Sequence, residues 1–143
     1  MDYNPQRIAQ ILGLAVSAPV PPSVIALEDA IRGGFPKSAL YNVSRAIESD
    51  PGRANELAYS VVPKSTLNRR ETLTPEQSER TERLARLLAY AEQVFGDAAD
   101  AVDFIHRPHP ELAGQRPLDA AATELGARRV ETVLNALEAG LPV

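Results

Sequence analysis

Apolar residues recur every three or four positions along most of the chain, as they do in amphipathic α-helices. The clearest case is residues 75–95, whose apolar side chains share one face: Leu84, Leu87, Leu88, Ala91, Val94 and Phe95. Thr74 is a suitable N-cap for this helix, Gln77 completes a capping box, and Gly96 lies where a helix commonly ends. The pattern predicts one long helix with well-marked ends.

The same spacing predicts several shorter helices, separated by proline and glycine. They comprise residues 6–16, 24–32, a segment ending near residue 48, and residues 53–60, 63–71, 98–105, 117–122 and 124–139. The prolines between residues 17 and 23 indicate a stiff linker, and Gly33 with Gly34 indicates a hinge. We therefore expect an all-α protein.

Composition supports this fold class and narrows the possible chemistry. The 143 residues are 44% hydrophobic but only 5% aromatic, so the core is expected to consist of small aliphatic side chains. The absence of cysteine excludes disulfides, thiolate metal sites and thiol nucleophiles. Because there is no basic leader and no run of eighteen apolar residues, the sequence predicts neither a signal peptide nor a membrane span, and we expect a cytoplasmic location.

The net charge of −4 argues against nucleic-acid binding, since neutralising phosphates requires positive charge. The distribution of the charge changes this conclusion. Residues 37–70 contain six basic and three acidic side chains, a net charge of +3, whereas residues 97–143 contain four basic and eight acidic ones. The chain therefore has one basic segment and an acidic C-terminal region.

The basic segment contains two short predicted helices joined by a tight turn, which is the outline of a helix-turn-helix. In the second helix, "PKSTLNRRE", Leu67 is expected to face inward. The remaining side chains can contact phosphates and base edges, and they are the candidate DNA-binding residues: Lys64, Ser65, Thr66, Asn68, Arg69 and Arg70. An ordinary solvated helix face is the alternative, and Val61 or Val62 occupies the position where such turns usually have glycine. Residues 42–45 are the next candidate surface.

No motif in the chain indicates catalysis or a cofactor. His106 and His109 could contribute to a metal site with Glu111, but the neighbouring prolines favour a solvated loop. We find neither a glycine-rich phosphate loop nor a Ser-His-Asp arrangement in the sequence, and its carboxylates are scattered over helix faces. The sequence therefore predicts a protein that is not an enzyme and holds no metal.

The C-terminal region ends in apolar residues. In the last predicted helix, Glu124 is placed to pair with Arg128 one turn later. The final residues can be a disordered terminus or a segment that becomes ordered on a partner: Leu141, Pro142 and Val143.

These C-terminal residues carry a resemblance to a known family. The spacing Pro110-x-Leu112-x-Gly114-x-x-Pro117-Leu118, followed by "TELGARRVE", resembles the toxin-binding domain of the Xre/MbcA/ParS antitoxins. Residues 74–96 are similar to the long helix that opens that domain, and residues 38–70 are similar to the Xre-type helix-turn-helix. The resemblance covers residues 35–143, which it divides into a DNA-binding region (35–73) and a toxin-binding domain (74–143). Residues 1–34, the N-terminal helices and linker, show no such resemblance and form a third region.

The resemblance also implies a function, that of a type II antitoxin. The partner would be a RES-domain toxin, similar in fold to ADP-ribosyltransferases, which kills by consuming NAD. The C-terminal domain would bind this toxin and close its NAD pocket. A homodimer formed through the N-terminal and helix-turn-helix regions would bind operator DNA and repress the promoter.

Under this interpretation, we expect the toxin contacts on the exposed side of the last helix and at the end of the chain. They are Arg128, Glu131, Asn135 and Glu138, with Leu141, Pro142 and Val143 entering the pocket. A function of a different class stays open: a stand-alone dimeric helix-turn-helix regulator whose C-terminal helices serve only dimerisation.

Overall fold

The computed structural model describes residues 3–14 and 23–141. This part of the chain is predominantly helical, which confirms the predicted all-α fold. It contains one short 3₁₀ helix, Pro110–Leu112, and nine α-helices: Pro5–Leu12 (α1), Val24–Gly33 (α2), Lys37–Ile47 (α3), Pro51–Val61 (α4), Lys64–Arg69 (α5), Pro75–Phe95 (α6), Ala98–His106 (α7), Pro117–Ala120 (α8) and Glu124–Glu138 (α9). None of these helices is both long enough and apolar enough to cross a membrane.

Side chains at the helix starts explain most of these bounds. Besides α6, four helices follow a residue whose side chain accepts the backbone N–H three positions later: Ser23, Asp50, Asp97 and Thr123. The predicted capping box of α6 is present, because the Thr74 N–H donates to Gln77 Oε1 at 2.9 Å and the Gln77 N–H donates to Thr74 Oγ1 at 3.1 Å. At the other end of α6, Gly96 has the predicted left-handed conformation, with φ of 70°.

Several boundaries differ from the sequence prediction; α5, for example, ends at Arg69 instead of residue 71, and α8 ends at Ala120 instead of residue 122. α1 ends at Leu12 instead of residue 16, because Gly13 adopts a left-handed conformation (φ 68°) that stops the helix. α4 begins at Pro51, two residues earlier than predicted, since proline is well suited to the first turn of a helix. His106 is the last residue of α7 and not part of the following loop. The predicted linker, residues 17–22, lies outside the described residues.

The chain divides into two compact units, and the division falls within α6. The N-terminal unit comprises residues 5–14 and 23–85, which form α1 to α5 and the first half of α6. The C-terminal unit comprises residues 3–4 and 86–141, which include the second half of α6 and α7 to α9. The predicted domain ranges, with a boundary before residue 74, stay predictions.

In the N-terminal unit, α3 packs against both α1 and α4. The core there is aliphatic apart from Phe35, as the low aromatic content predicted, and its largest fully buried side chains are Phe35, Ile8, Leu12, Leu40, Ile47, Leu67, Val43 and Val62. In the C-terminal unit, α8 packs against α7 and α9, and the 3₁₀ helix packs against α9. The largest fully buried side chains of this unit are Ile105, Leu112, Leu134 and Val130.

The predicted apolar stripe of α6 is buried over most of its length. Leu84, Leu87, Leu88 and Ala91 are buried, whereas Val94 is half-buried and Phe95 is exposed. The ring of Phe95 nevertheless contacts that of Phe104 in α7, with centroids 5.3 Å apart. The stripe therefore becomes more exposed toward the C-terminal end of the helix.

Candidate functional site

The turn between α4 and α5 does not need the glycine that the sequence lacks. Val62 and Pro63 have φ values of −136° and −54°, which are ordinary for residues with side chains. Val62 is also fully buried, and Val61 is nearly so. The two valines thus contribute to the core, and the missing glycine is no argument against a helix-turn-helix here.

α5 presents the predicted polar face to solvent. Leu67 is 2% exposed and holds the helix to the core, which confirms its predicted inward orientation. Thr66 is half-buried, and the other candidate DNA-binding residues are exposed: Lys64, Ser65, Asn68, Arg69 and Arg70. Arg69 Nε donates to the Ser65 carbonyl of the same helix at 3.3 Å. This surface carries three cations and no carboxylate, so it suits a polyanion.

Long-range backbone contacts fix the end of α5. The Leu73 N–H donates to the Phe35 carbonyl at 2.8 Å, and the Lys37 N–H donates to the Glu71 carbonyl at 3.0 Å. Gly34 allows this pairing, since a Cβ there would lie 2.3 Å from the Leu73 oxygen. The segment that follows α5 is therefore tied to the segment that precedes α3.

Lys37 is a structural cation, although the sequence places it in the basic segment. Its Nζ donates to the Leu67 carbonyl at 2.9 Å, which satisfies an oxygen at the C-terminal end of α5. The same Nζ lies 3.6 Å from the Glu71 carboxylate. Sequence spacing did not indicate this role, because Lys37 lies 30 or more positions before both of its partners, Leu67 and Glu71.

Two tyrosines adjoin the start of α5. The Lys64 ammonium lies 5.9 Å from the centroid of the Tyr59 ring, which is a cation–π geometry. Burial raises the pKa of the Tyr41 hydroxyl, and a side-chain hydrogen bond to Tyr59 raises it further. Side chains from α4 and α5 are therefore in contact beside the candidate DNA-binding face.

Residues 42–45 form a poorer surface for DNA than α5. Asn42 Nδ2 donates to the Leu12 carbonyl at 2.9 Å, so this side chain ties α3 to the end of α1. Arg45 in turn donates to Asn42 Oδ1 at 2.6 Å. Val43 and Ser44 are fully buried, which leaves Arg45 as the one exposed side chain among these four.

In the C-terminal unit, Gly126 sets how closely α9 approaches α8. A Cβ at this position would lie 1.7 Å from the Ala120 carbonyl oxygen, a distance that no side chain tolerates. The Gly126 N–H donates to Thr123 Oγ1 at 3.0 Å, which completes the first turn of α9. Glycine in "TELGARR" is therefore a packing requirement.

Arg86 of α6 contacts two carboxylates of α9. Its guanidinium lies 3.3 Å from Glu124 and 3.6 Å from Glu131. Burial raises the pKa of Glu131, and Arg86 opposes that rise. Glu131 was predicted to lie on the exposed side of the helix; its side chain is half-buried, 27% exposed, and faces Arg86, and its toxin contact stays a prediction. Glu124, predicted to pair with Arg128, contacts Arg86 of α6.

The outward face of α9 contains the other predicted toxin contacts. Arg128, Asn135 and Glu138 are exposed, and beyond the helix Leu141 is 59% exposed. Pro142 and Val143 lie outside the described residues. Sequence reasoning missed Leu125, which is 74% exposed although it is a large apolar side chain. A helical wheel would have identified it, because 100° per residue places it far from the buried Val130.

The histidines help to order the loop before α8 and are not arranged as a metal site. His109 Nδ1 accepts a hydrogen bond from the backbone N–H of Glu111 at 3.1 Å, so in this contact Glu111 uses its backbone and not its carboxylate. Arg116 lies 3.4 Å from His106 Nδ1 and donates twice to Asp119, at 2.8 and 2.9 Å. These hydrogen bonds from Arg116 hold the pKa of Asp119 below its usual value. Among residues 3–14 and 23–141, no group of three potential metal ligands comes together.

Comparison with known proteins associates each surface with a family. A model of the antitoxin Xre-like helix-turn-helix domain matches residues 26–86, which include α5. A model of the antitoxin Xre/MbcA/ParS C-terminal toxin-binding domain matches residues 91–140, which include α9. α5 and α9 thus each lie inside one matched region, whereas Leu141 lies one residue beyond the second region.

Two curated proteins called "Antitoxin Xre" are similar to the chain. The protein from Pseudomonas putida is 29% identical over 104 residues, which cover 73% of this chain and 65% of that protein. The protein from Yersinia enterocolitica is 30% identical over 120 residues, which cover 80% of each. The match thus spans slightly less than two thirds of the first relative and four fifths of the second.

Proposed function

Since the chain belongs to the Xre antitoxin family, we propose that it neutralises a RES-domain toxin and represses its own promoter. The C-terminal unit binds the toxin and closes access to its NAD pocket. The helix-turn-helix of the N-terminal unit binds operator DNA as part of a homodimer. The protein acts in the cytoplasm, as a binding protein and not as an enzyme.

The outward face of α9 is the observation that supports the toxin-binding role. Its inner face is fixed by Gly126 and by the contacts of Arg86, so the helix is held before any partner arrives. Exposed apolar side chains at its two ends, Leu125 and Leu141, lie on either side of polar residues that include Arg128. Apolar anchors beside polar contacts on a rigid scaffold are typical of tight protein interfaces.

Deleting residues 139–143 tests the blocking of the NAD pocket. We expect the shortened protein to lose neutralisation of the RES toxin encoded beside it, in both a growth assay and an NAD-consumption assay. Promoter binding serves as the control, because α5 lies in the other unit. Unchanged toxin binding and neutralisation would exclude the end of the chain as the blocking segment.

The exposed polar face of α5 supports the DNA-binding role. Arg and Lys donate to guanine or phosphate, Asn68 can bond to adenine in a bidentate manner, and Ser65 can reach phosphate. One copy supplies only three cations from α5 and the residue that follows it, namely Lys64, Arg69 and Arg70. Because affinity grows with the number of neutralised phosphates, a dimer that presents two such helices to a palindrome binds far more tightly.

Substitutions on α5 test the DNA-binding role. We expect Lys64→Ala and Arg69→Ala each to weaken promoter binding by about 1 kcal/mol or more and to reduce its salt dependence. Arg107→Ala is the matched control, since it removes the same charge from an exposed position in the C-terminal unit. If both α5 variants bind the promoter with normal affinity and salt dependence, the DNA surface lies elsewhere on the protein.

A further inference from the structure

α5 is too short to hold its own position. Pro63 at its N-terminus provides no side-chain cap, and of its six described residues Leu67 alone is buried. Isolated helices of fewer than about 12 residues are only marginally stable in water. The orientation of α5 therefore depends on contacts from other helices, and a helix that reads base edges needs a defined orientation.

Two cations from other helices bind carbonyl oxygens in the last turns of α4 and α5. Lys37 of α3 donates to the Leu67 carbonyl of α5 at 2.9 Å. Arg80 of α6 donates to the Ser60 carbonyl of α4 at 3.3 Å. Both oxygens are among the last four carbonyls of their helix, which lack a partner within the helix and lie at its negative end. Each cation therefore ties the C-terminal end of one helix to a different helix.

The two hydrogen bonds lie on either side of α5 in the sequence. Ser60 is four positions before Lys64, the first residue of α5, and Leu67 is two positions before Arg69, the last. Among the residues that the structure describes, the Ser60 carbonyl is the one partner found for Arg80, which is otherwise exposed. The approach to α5 and its far end are thus each fixed by a cation from outside it.

We infer that Lys37 and Arg80 are positioning residues for DNA recognition, which hold α5 in its orientation without touching DNA themselves. The inference rests on the proposed DNA-binding function. It gives a part in that function to Arg80, which lies in another helix and 20 positions from its partner. It also separates Lys37 from the cations that neutralise phosphates, because this side chain is only 30% exposed and its ammonium lies 3.6 Å from the Glu71 carboxylate.

The test compares binding to the promoter with binding to an unrelated duplex of the same length, over a range of salt concentrations. Arg80→Met and Lys37→Met keep an apolar stem and remove the donor. We expect each to lower promoter affinity by about fivefold or more, because a displaced α5 weakens at least one hydrogen bond to DNA. Affinity for the unrelated duplex and the salt dependence should change little, since both are set by phosphate contacts.

Two control variants isolate the role of the hydrogen bond. Arg80→Lys keeps both the charge and a donor, so it should retain most of the preference for the promoter. Arg107→Met removes the same charge from an exposed position in the C-terminal unit and should bind both duplexes normally. Circular dichroism checks that each variant is folded. Because Arg80 is exposed, Arg80→Met carries the test by itself if Lys37→Met does not fold.

The outcomes separate this inference from the proposed function. If Arg80→Met weakens binding to both duplexes equally and reduces the salt slope by about one phosphate, Arg80 is a phosphate contact and the positioning role is wrong. The positioning role is also wrong if Arg80→Met binds the promoter normally while Lys64→Ala and Arg69→Ala do not, and the role of α5 then stands. If Lys64→Ala and Arg69→Ala bind normally as well, the DNA-binding surface itself is wrong.

Discussion

Arg86 and Glu131 are in contact, yet the structure predicts opposite effects when each is replaced. Arg86 is 19% exposed and lies near two carboxylates of α9, at 3.3 and 3.6 Å. Replacing it with methionine keeps the apolar stem but leaves Glu124 and Glu131 without this cation. Replacing Glu131 with glutamine keeps a hydrogen-bonding side chain of the same shape and removes a charge that is costly to bury.

The magnitudes lie between those of exposed and buried ion pairs. Removing one partner of a fully buried ion pair lowers the free energy of unfolding by about 3–5 kcal/mol, whereas an exposed ion pair contributes about 0–1 kcal/mol to it. Since the side chains of Glu124 and Glu131 are 48% and 27% exposed, we expect Arg86→Met to lower the free energy of unfolding by about 1–2 kcal/mol. We expect Glu131→Gln to be neutral, or to raise it by a few tenths of a kcal/mol.

The pH dependence has a defined sign. The pKa of Glu131 is raised above its ordinary 4.5, chiefly by burial, so the folded state holds this proton more tightly than the unfolded state does. The carboxyl therefore favours folding most at pH values below 4.5, and this contribution is lost as the pH rises through its folded-state pKa. Glu131→Gln should accordingly match the wild type in acid and gain relative stability toward pH 7.

Urea unfolding at pH 4 and pH 7, followed by circular dichroism, measures both effects. The double variant Arg86→Met/Glu131→Gln should recover part of the loss seen in Arg86→Met, since one carboxylate no longer lacks its cation. A Glu131→Gln protein that is about 1 kcal/mol or more less stable than the wild type at pH 7 would refute the reasoning. So would a stability difference between them that grows on acidification.

Three further predictions concern backbone and core positions. Gly126→Ala should destabilise the protein by several kcal/mol or displace α9, because the new Cβ would lie 1.7 Å from Ala120 O; thermal unfolding and toxin binding would report it. Val62→Gly places the usual glycine in the turn, but it should lower the free energy of unfolding by about 2–4 kcal/mol, because Val62 is fully buried and its φ is not positive. Chemical denaturation measures this loss. Ser78→Ala leaves the Phe35 N–H without its 2.8 Å acceptor and should cost about 1–3 kcal/mol, measured as a lower midpoint of urea unfolding with an unchanged slope.

Helix ends were predictable because their causes are local. The Thr74 cap and its capping box with Gln77 depend on residues within three positions, and the structure confirms both. The inward orientation of Leu67 follows from helical periodicity alone, and it is also confirmed. The exposure of Leu125 could have been predicted in the same way.

Contacts between distant positions were not predictable from spacing. Lys37 reaches a carbonyl 30 residues later, and Arg86 contacts carboxylates 38 and 45 residues later. In the sequence, both residues resemble ordinary solvent-exposed charges. They hold helices together only because elements that are distant in sequence pack against each other. For the same reason, the sequence did not indicate that Arg86 lies beside Glu131.

Leu125 can distinguish the antitoxin from a stand-alone regulator whose C-terminal helices only dimerise. Both hypotheses need a partner that covers this side chain, which is 74% exposed. Under the antitoxin hypothesis, Leu125→Asp places a charge in the toxin interface, so toxin binding should weaken by about tenfold or more while promoter binding and the oligomeric mass of the free protein stay normal. Under the regulator hypothesis, the same change breaks the dimer and weakens promoter binding. Light scattering, mobility shifts and a toxin pull-down on this one variant separate the two outcomes, with Thr132→Asp, one turn from Arg128 on the exposed side of α9, as a second probe of the same face.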